Sequence, residues 1–473
     1  MKIKLNTFLF SAIILAALIF CIFIDDQNYW LNWLGIIIYL YAVFTWHWEK
    51  EDSIFSLYTI FFTFFLLFNY GQCIMWALGI GLDRGIGTGV VAYGTGVIPS
   101  VEDLINVKWY TCFCMLAFHF GALIFAKKNS IYTKLRWYES ENPDADRNYL
   151  LNVGRILSIV VVPLALGVKV VEVGIALTYG YNAIYYGDYA TQSGYIQIIL
   201  FLFFPVLVCL LVGSNFDKNT TRRVFIVFAI YSVLGVMSGD RGSWLYSLII
   251  LIWAYVQSKG TFNYRKLIKW IILATVGIYL LNVVTTARDG GGISDLTIQD
   301  FLSAFDTDES PIVDAFFEMG GSMSIITFFL IKGNGIYPYA NTYLTAILGS
   351  ISSRLLSMLG LKFVLLADWF SQDYLHISWG TGFSMIAEAY VNGGYFGGII
   401  YIFIIGIIIG KVLCKCRDNQ DVTNHPMKVF LALSTANILM GFPRAASYLI
   451  VKNFVYGVFV ILVFRLLLKR TYK

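Results

Sequence analysis

Phe396-Gly397-Gly398-Ile399-Ile400-Tyr401-Ile402-Phe403-Ile404-Ile405-Gly406-Ile407-Ile408-Ile409-Gly410-Lys411-Val412-Leu413 carries a single charge in eighteen residues. That length, at about 1.5 Å of helical rise per residue, suits the hydrocarbon core of a bilayer. With no water inside a membrane to bond the backbone, such a run is stable there only as a helix.

Comparable apolar runs fall at about 5–24, 31–46, 54–78, 108–126, 152–172, 196–213, 224–238, 243–257, 268–286, 428–442 and 448–468. The chain of 473 residues is 58% hydrophobic and 13% charged, with mean hydropathy +0.71. No soluble interior could hide that much apolar surface. The sequence predicts an all-α polytopic membrane protein with about twelve transmembrane helices. It divides into transmembrane helices over 1–286, an outer-face segment over 287–395 and C-terminal transmembrane helices over 396–473. A structureless loop as long as 287–395 would be unusual. Its apolar patches, Phe316-Phe317, Ile325–Ile331, Ala346–Leu361 and Phe363–Trp369, predict short surface or re-entrant amphipathic helices. The halves do not mirror each other, unlike inverted-repeat transporters. Bulky Phe20-Cys21-Ile22-Phe23 offers no small-residue cleavage site, so the first run is expected to be retained as a helix.

Basic residues orient the chain. With both termini in the cytoplasm, about 24 of the 34 Lys and Arg fall inside, among them Lys50, Lys127, Lys128, Arg222, Arg223, Lys266, Lys415, Lys469 and Arg470. The net charge of +5 is spread over short loops, which points away from nucleic acid. The seven cysteines form no disulfide framework, and Cys414-Lys415-Cys416 lacks the second ligand pair of a zinc site.

Against this orientation three arginines stand on the outer side: Arg241 in Ser238-Gly239-Asp240-Arg241-Gly242, Arg288 in Thr286-Ala287-Arg288-Asp289-Gly290, and Arg444 in Gly441-Phe442-Pro443-Arg444-Ala445. Arginine can snorkel to lipid phosphates, but its guanidinium fork also pairs bidentately with phosphate oxygens. Three of them, flanked by small residues, predict a pyrophosphate-binding site that needs no metal or cofactor. Asp240 and Asp289 would orient or balance their neighbours. Glu388, a lone carboxylate in an apolar stretch leading into the span at 396, is a candidate general base, and His376 is a second. Tyr179–Tyr195 holds six tyrosines in seventeen residues, suiting either an interface belt or a sugar-stacking platform. Asp306-Thr307-Asp308 has the D-x-D form of metal-holding transferases but sits in the outer segment, where nucleotide sugars are absent. Gly85-Ile86-Gly87-Thr88-Gly89 follows no strand and reads as a turn.

Gly239-Asp240-Arg241-Gly242 resembles the G-x-R motif of Wzy-type O-antigen and repeat-unit polymerases. Gly382-Phe383-Ser384 through Glu388-Ala389-Tyr390-Val391-Asn392-Gly393-Gly394 resembles their Gly-x-Ser…Glu-x-Tyr-x-Asn-x-Gly segment, and Phe442-Pro443-Arg444 with Ser447 their late Phe-x-Arg motif. The likeness covers the C-terminal half. It implies a GT-C-like glycosyltransferase of the bacterial cytoplasmic (inner) membrane that polymerises undecaprenyl-pyrophosphate-linked oligosaccharides on the outer face. The product would be O-antigen lipopolysaccharide, capsule or a related polysaccharide. It also implies roles for Arg241, Arg444 and Glu388, support from Tyr390 and Asn392, and partners such as a flippase and a chain-length regulator. An O-antigen ligase of the same architecture and a lipid-linked oligosaccharide flippase are the rival readings.

Overall fold

A computed structural model describes residues 4–86, 97–126, 142–184, 194–240, 242–258, 311–362, 364–377, 380–414 and 424–471. Every regular element among them is helical. In chain order these are α1 (Leu5–Phe23), α2 (Gln27–Lys50), α3 (Leu57–Ala77), α4 (Val101–Phe125), α5 (Pro143–Tyr179), α6 (Gly194–Phe201), α7 (Phe203–Gly213), α8 (Lys218–Met237) and α9 (Ser243–Ser258). Then follow α10 (Pro311–Met319), α11 (Ser322–Lys332), α12 (Thr342–Ile351), α13 (Ser353–Met358), α14 (Leu366–Asp368), α15 (Met385–Leu413), α16 (Pro426–Met440), α17 (Ser447–Asn453) and α18 (Val460–Thr471). Ten helical runs among the described residues are long and apolar enough to cross a membrane. The protein is therefore a multi-pass membrane protein, as its hydropathy predicts. The predicted span at 268–286 lies outside the described residues.

Helix ends follow local chemistry. The Ser56 and Ser100 hydroxyls cap α3 and α4, the latter in a reciprocal capping box with Asp103. Asn142 caps α5, with Pro143 in its first turn. Large apolar side chains such as Ile159, Phe396 and Ile400 stand exposed, a pattern that suits lipid contact and not water.

The chain forms two compact units. The first gathers Met1–Lys134, Ala315–Lys415 and Ile438–Lys452. Its centre is a polar knot on α2, α3 and α4. There the His119 ring nitrogens bond the Thr45 and Tyr58 hydroxyls, each at 2.8 Å. Against α4 lies α15, along a seam of small residues. A methyl added at Gly406 would collide with the Phe118 carbonyl, and one at Gly121 with that of Phe403. Close backbone approach through small residues is how membrane helices gain packing without a hydrophobic driving force. The second unit gathers Leu135–Asp314, Cys416–Asn437 and Asn453–Lys473. Within it α5 packs on α7, and a buried ion pair joins Arg465 to Asp146, Nη2 to Oδ1 at 2.6 Å.

Two findings refine the sequence reading. Ile312–Lys332, split in the sequence by Gly320-Gly321, is one nearly continuous helical run, long and apolar enough to cross a membrane though less apolar than most of the other runs. And α15 breaks at Gly394, whose φ of 62° and ψ of −159° suit glycine alone. A Cβ on Gly398 would lie 3.2 Å from the Ala389 carbonyl oxygen, whereas residues nine apart in an unbroken helix stand about 13 Å apart. Thus 385–393 is a stub folded back on the membrane helix that begins at Tyr395.

Gly406→Ala is expected to lower the melting temperature of the detergent-solubilised protein, since overpacking costs about 1–3 kcal/mol. Gly397→Ala, where an added methyl meets nothing within 4 Å, should not lower it. Equal melting temperatures would remove the seam from the account.

Candidate active site

The α15 stub owes its start to Ser384. The hydroxyl oxygen accepts from the amides of Ile386 and Ala387 at 3.1 and 3.3 Å and donates to Asn69 Oδ1 on α3 at 2.7 Å. One turn into the helix stands Glu388, and Asn392 follows four residues on, on the same face.

Glu388 is 1% exposed, and its carboxylate gathers three donors. Oε1 accepts from Thr342 Oγ1 at 2.6 Å and Ser447 Oγ at 2.7 Å, and Oε2 from the Ser447 amide at 2.7 Å. Asn392 closes the ring. Its Oδ1 accepts from the Thr342 amide, and its Nδ2 donates to Thr342 Oγ1, each at 2.7 Å. A buried charge demands such company, and here it ties together the start of α12, the stub and the start of α17.

Arg444 ends the short turn Phe442–Arg444, three residues before Ser447. Asn69 Nδ2 donates to the Pro443 carbonyl at 3.3 Å, and the Phe383 amide to the Arg444 carbonyl at 3.2 Å. The turn is thus held on both sides. The Arg444 guanidinium lies 5.8 Å from the Phe68 ring centroid, and no carboxylate among the described residues pairs with it. Gly382 keeps the approach open. Its φ is 71°, and a Cβ there would come within 3.3 Å of Arg444 Nε.

The other predicted residues divide. Tyr390 points away from this ring, packing edge-on against Tyr110 with centroids 5.6 Å apart. His376 is exposed, with φ of 55°, and no described contact joins it to Glu388 or Arg444. It follows a cluster of Trp369, Phe370 and Tyr374. Nearby, burial first and Asp373 second push the Asp368 carboxyl above the usual range. Asp240 belongs to the second unit, where its Oδ2 lies 3.7 Å from Lys169 Nζ. Arg241, Arg288, Asp289, Asp306-Thr307-Asp308, 87–96 and most of the tyrosine-rich stretch lie outside the described residues, as does Cys416.

Asn69, Thr342, Lys169 and Glu172 carry polar roles that the sequence reading did not assign. A signal existed for three of them. Asn69 interrupts an apolar span, and Lys169 with Glu172 forms an i,i+3 opposite-charge pair inside another. Thr342 offered none, being one of many threonines.

Among the described residues the chain is a polytopic membrane protein in which a buried acid and an arginine-bearing turn are tied to the same short segments. The chain belongs to the family described as O-antigen polysaccharide polymerase Wzy, whose model matches residues 6–473. Neither a curated protein nor a solved structure matches it. The match extends well beyond the C-terminal motifs that carry the resemblance in the sequence.

Glu388→Ala is expected to lower the melting temperature more than Thr342→Val does. Three buried donors lose their acceptor in the first case, at about 1–3 kcal/mol for each group left unpaired. If Glu388→Ala melted like the parent, the carboxylate would not be holding the ring.

Proposed function

We propose that this protein polymerises undecaprenyl-pyrophosphate-linked oligosaccharide repeat units on the outer face of the cytoplasmic membrane. The observation that carries the reading is the Arg444 guanidinium, without a carboxylate partner among the described residues, beside Gly382 and three residues from the Glu388 ring. Arg444, with Arg241 and Arg288, is assigned to the donor pyrophosphate. The protein family supports the polymerisation itself.

In the proposed displacement an acceptor hydroxyl attacks the anomeric carbon of the donor sugar. A new glycosidic C–O bond forms as the bond from that carbon to the phosphate oxygen breaks, and lipid pyrophosphate leaves with the electron pair. Guanidinium donors placed where that charge grows are worth roughly 10²–10³-fold each. The hydroxyl must also lose a proton, and base assistance adds roughly 10²–10⁴-fold. Glu388 is the assigned base. Because its carboxylate is enclosed, the proton would reach Oε1 through the hydroxyl of Ser447 or Thr342, both of which already donate to it. His376 is the second candidate for the base.

In vesicles supplied with lipid-linked repeat units, Arg444→Lys keeps the charge but loses the fork, so polymer should fall at least about tenfold at unchanged protein level. Glu388→Gln keeps the shape, because the two hydroxyls can reverse and accept, yet it should stop polymerisation and leave single repeat units. Normal chain-length ladders from Arg241→Ala, Arg288→Ala and Arg444→Ala alike would place the pyrophosphate elsewhere. Product released from undecaprenyl onto another acceptor would favour the ligase reading. Transport without bond formation would favour the flippase.

Orientation has its own test. A cysteine at Met358, which is 82% exposed, should react with an impermeant maleimide in intact spheroplasts. Reaction only after permeabilisation would reverse the topology.

A further inference from the structure

Asn69 is fully buried on α3, directly after the apolar run Phe64-Phe65-Leu66-Leu67-Phe68. A polar side chain in such a helix is stable only when its groups are bonded. Thr63, on the same helix, meets that need in part by donating to the Thr59 carbonyl one turn back, at 2.9 Å. Asn69 does the same and then goes further. Its Nδ2 donates to the Phe65 carbonyl at 3.1 Å and also to the Pro443 carbonyl at 3.3 Å, while its Oδ1 accepts from Ser384 Oγ at 2.7 Å. The first bond holds the amide to its own helix. The other two reach segments 374 and 315 positions away.

Those two segments are also bonded to each other, which closes a circuit. The Pro443 carbonyl belongs to the peptide plane that enters Arg444, and the Arg444 amide at the other end of that plane donates to the Gly441 carbonyl at 3.2 Å. The Arg444 carbonyl accepts from the Phe383 amide at 3.2 Å, and Phe383 leads into Ser384, whose hydroxyl returns to Asn69. Both peptide planes of Arg444 are therefore bonded. A second circuit shares the same segments: Glu388, four residues after Ser384, accepts twice from Ser447, three residues after Arg444. The oxygen and nitrogen of a planar amide keep a fixed separation, so Ser384 and Pro443 cannot draw apart while both hold Asn69.

We infer that Asn69 is a positioning residue for the transfer reaction, closing the frame that sets Glu388 against Arg444. The catalytic part of the inference rests on the roles proposed above for Arg444 and Glu388. The frame itself rests on the hydrogen bonds alone. With the frame open, the donor pyrophosphate can still meet Arg444, but the acid is no longer in register with the reacting sugar. A misplacement of about 1 Å is enough to cost roughly 100-fold in rate, so the loss falls on turnover and not on donor binding.

The test uses the full-length protein in lipid nanodiscs with lipid-linked repeat units. Asn69→Leu keeps the approximate volume and removes all three bonds. Asn69→Ser can still bond back to Phe65 but is too short to bridge two segments, and it gives the same readings should the leucine variant fail to fold. Thr63→Val removes a bond between α3 and the Tyr39 hydroxyl on α2, 2.8 Å long, without touching the frame, and serves as the control. Exchange of the Phe383 and Arg444 amides should accelerate about tenfold or more in the Asn69 variants and stay near parental in the control. In the Asn69 variants kcat should fall about tenfold or more while KM for the donor stays within about twofold. Parental exchange in the Asn69 variants, or an equal fall of kcat in Thr63→Val, would overturn the inference. Accelerated exchange with parental kcat would leave the frame standing but overturn its part in the reaction, as would a change in donor KM alone. Arg444→Ala, run alongside, shows separately whether the pyrophosphate reading stands, because the exchange measurement does not depend on it.

Discussion

A charged group surrounded by apolar helices persists only where partners meet it, and Glu388 shows how much structure one such requirement can organise. Its three donors come from two other segments, Thr342 and Ser447, and Asn392 fastens Thr342 a second time. The geometry of the Arg444 turn follows from that ring at one end and from Asn69 at the other. Removing the carboxylate therefore touches more than a proton acceptor. It releases the segment that carries the guanidinium, and so Glu388→Gln and Glu388→Ala probe different things.

The second unit solves the same problem with ions instead of hydroxyls. Asp146 and Arg465 pair directly, while Lys169 serves two acids at once. Breaking a buried pair is costly because the survivor is left without compensation, whereas removing both partners is often tolerated.

Hydropathy made the helices legible, because a bilayer imposes one length on every crossing. Even the break at Gly394 had left its mark, as the apolar run counted from 396 begins where the membrane helix does. The acid and arginines stood out because ionisable residues are rare in apolar stretches. What stayed hidden was non-local. Nothing near Thr342 announces that it meets Glu388 and Asn392, 46 and 50 positions away, and hydrogen-bond partners across helices leave no periodic trace. Ile312–Lys332 escaped for a different reason: two adjacent glycines lower local hydropathy and divide one run into two short ones.

The fold-back at Gly394 has a mechanical consequence. Bilayers differ in thickness, and a crossing helix accommodates the difference by tilting. Here the helix that must tilt begins after the break, while the acid-bearing stub before it is fastened to Asn69, Thr342 and Ser447. A change in lipid length can then be absorbed at one glycine, without pulling on the hydrogen bonds that fasten the stub.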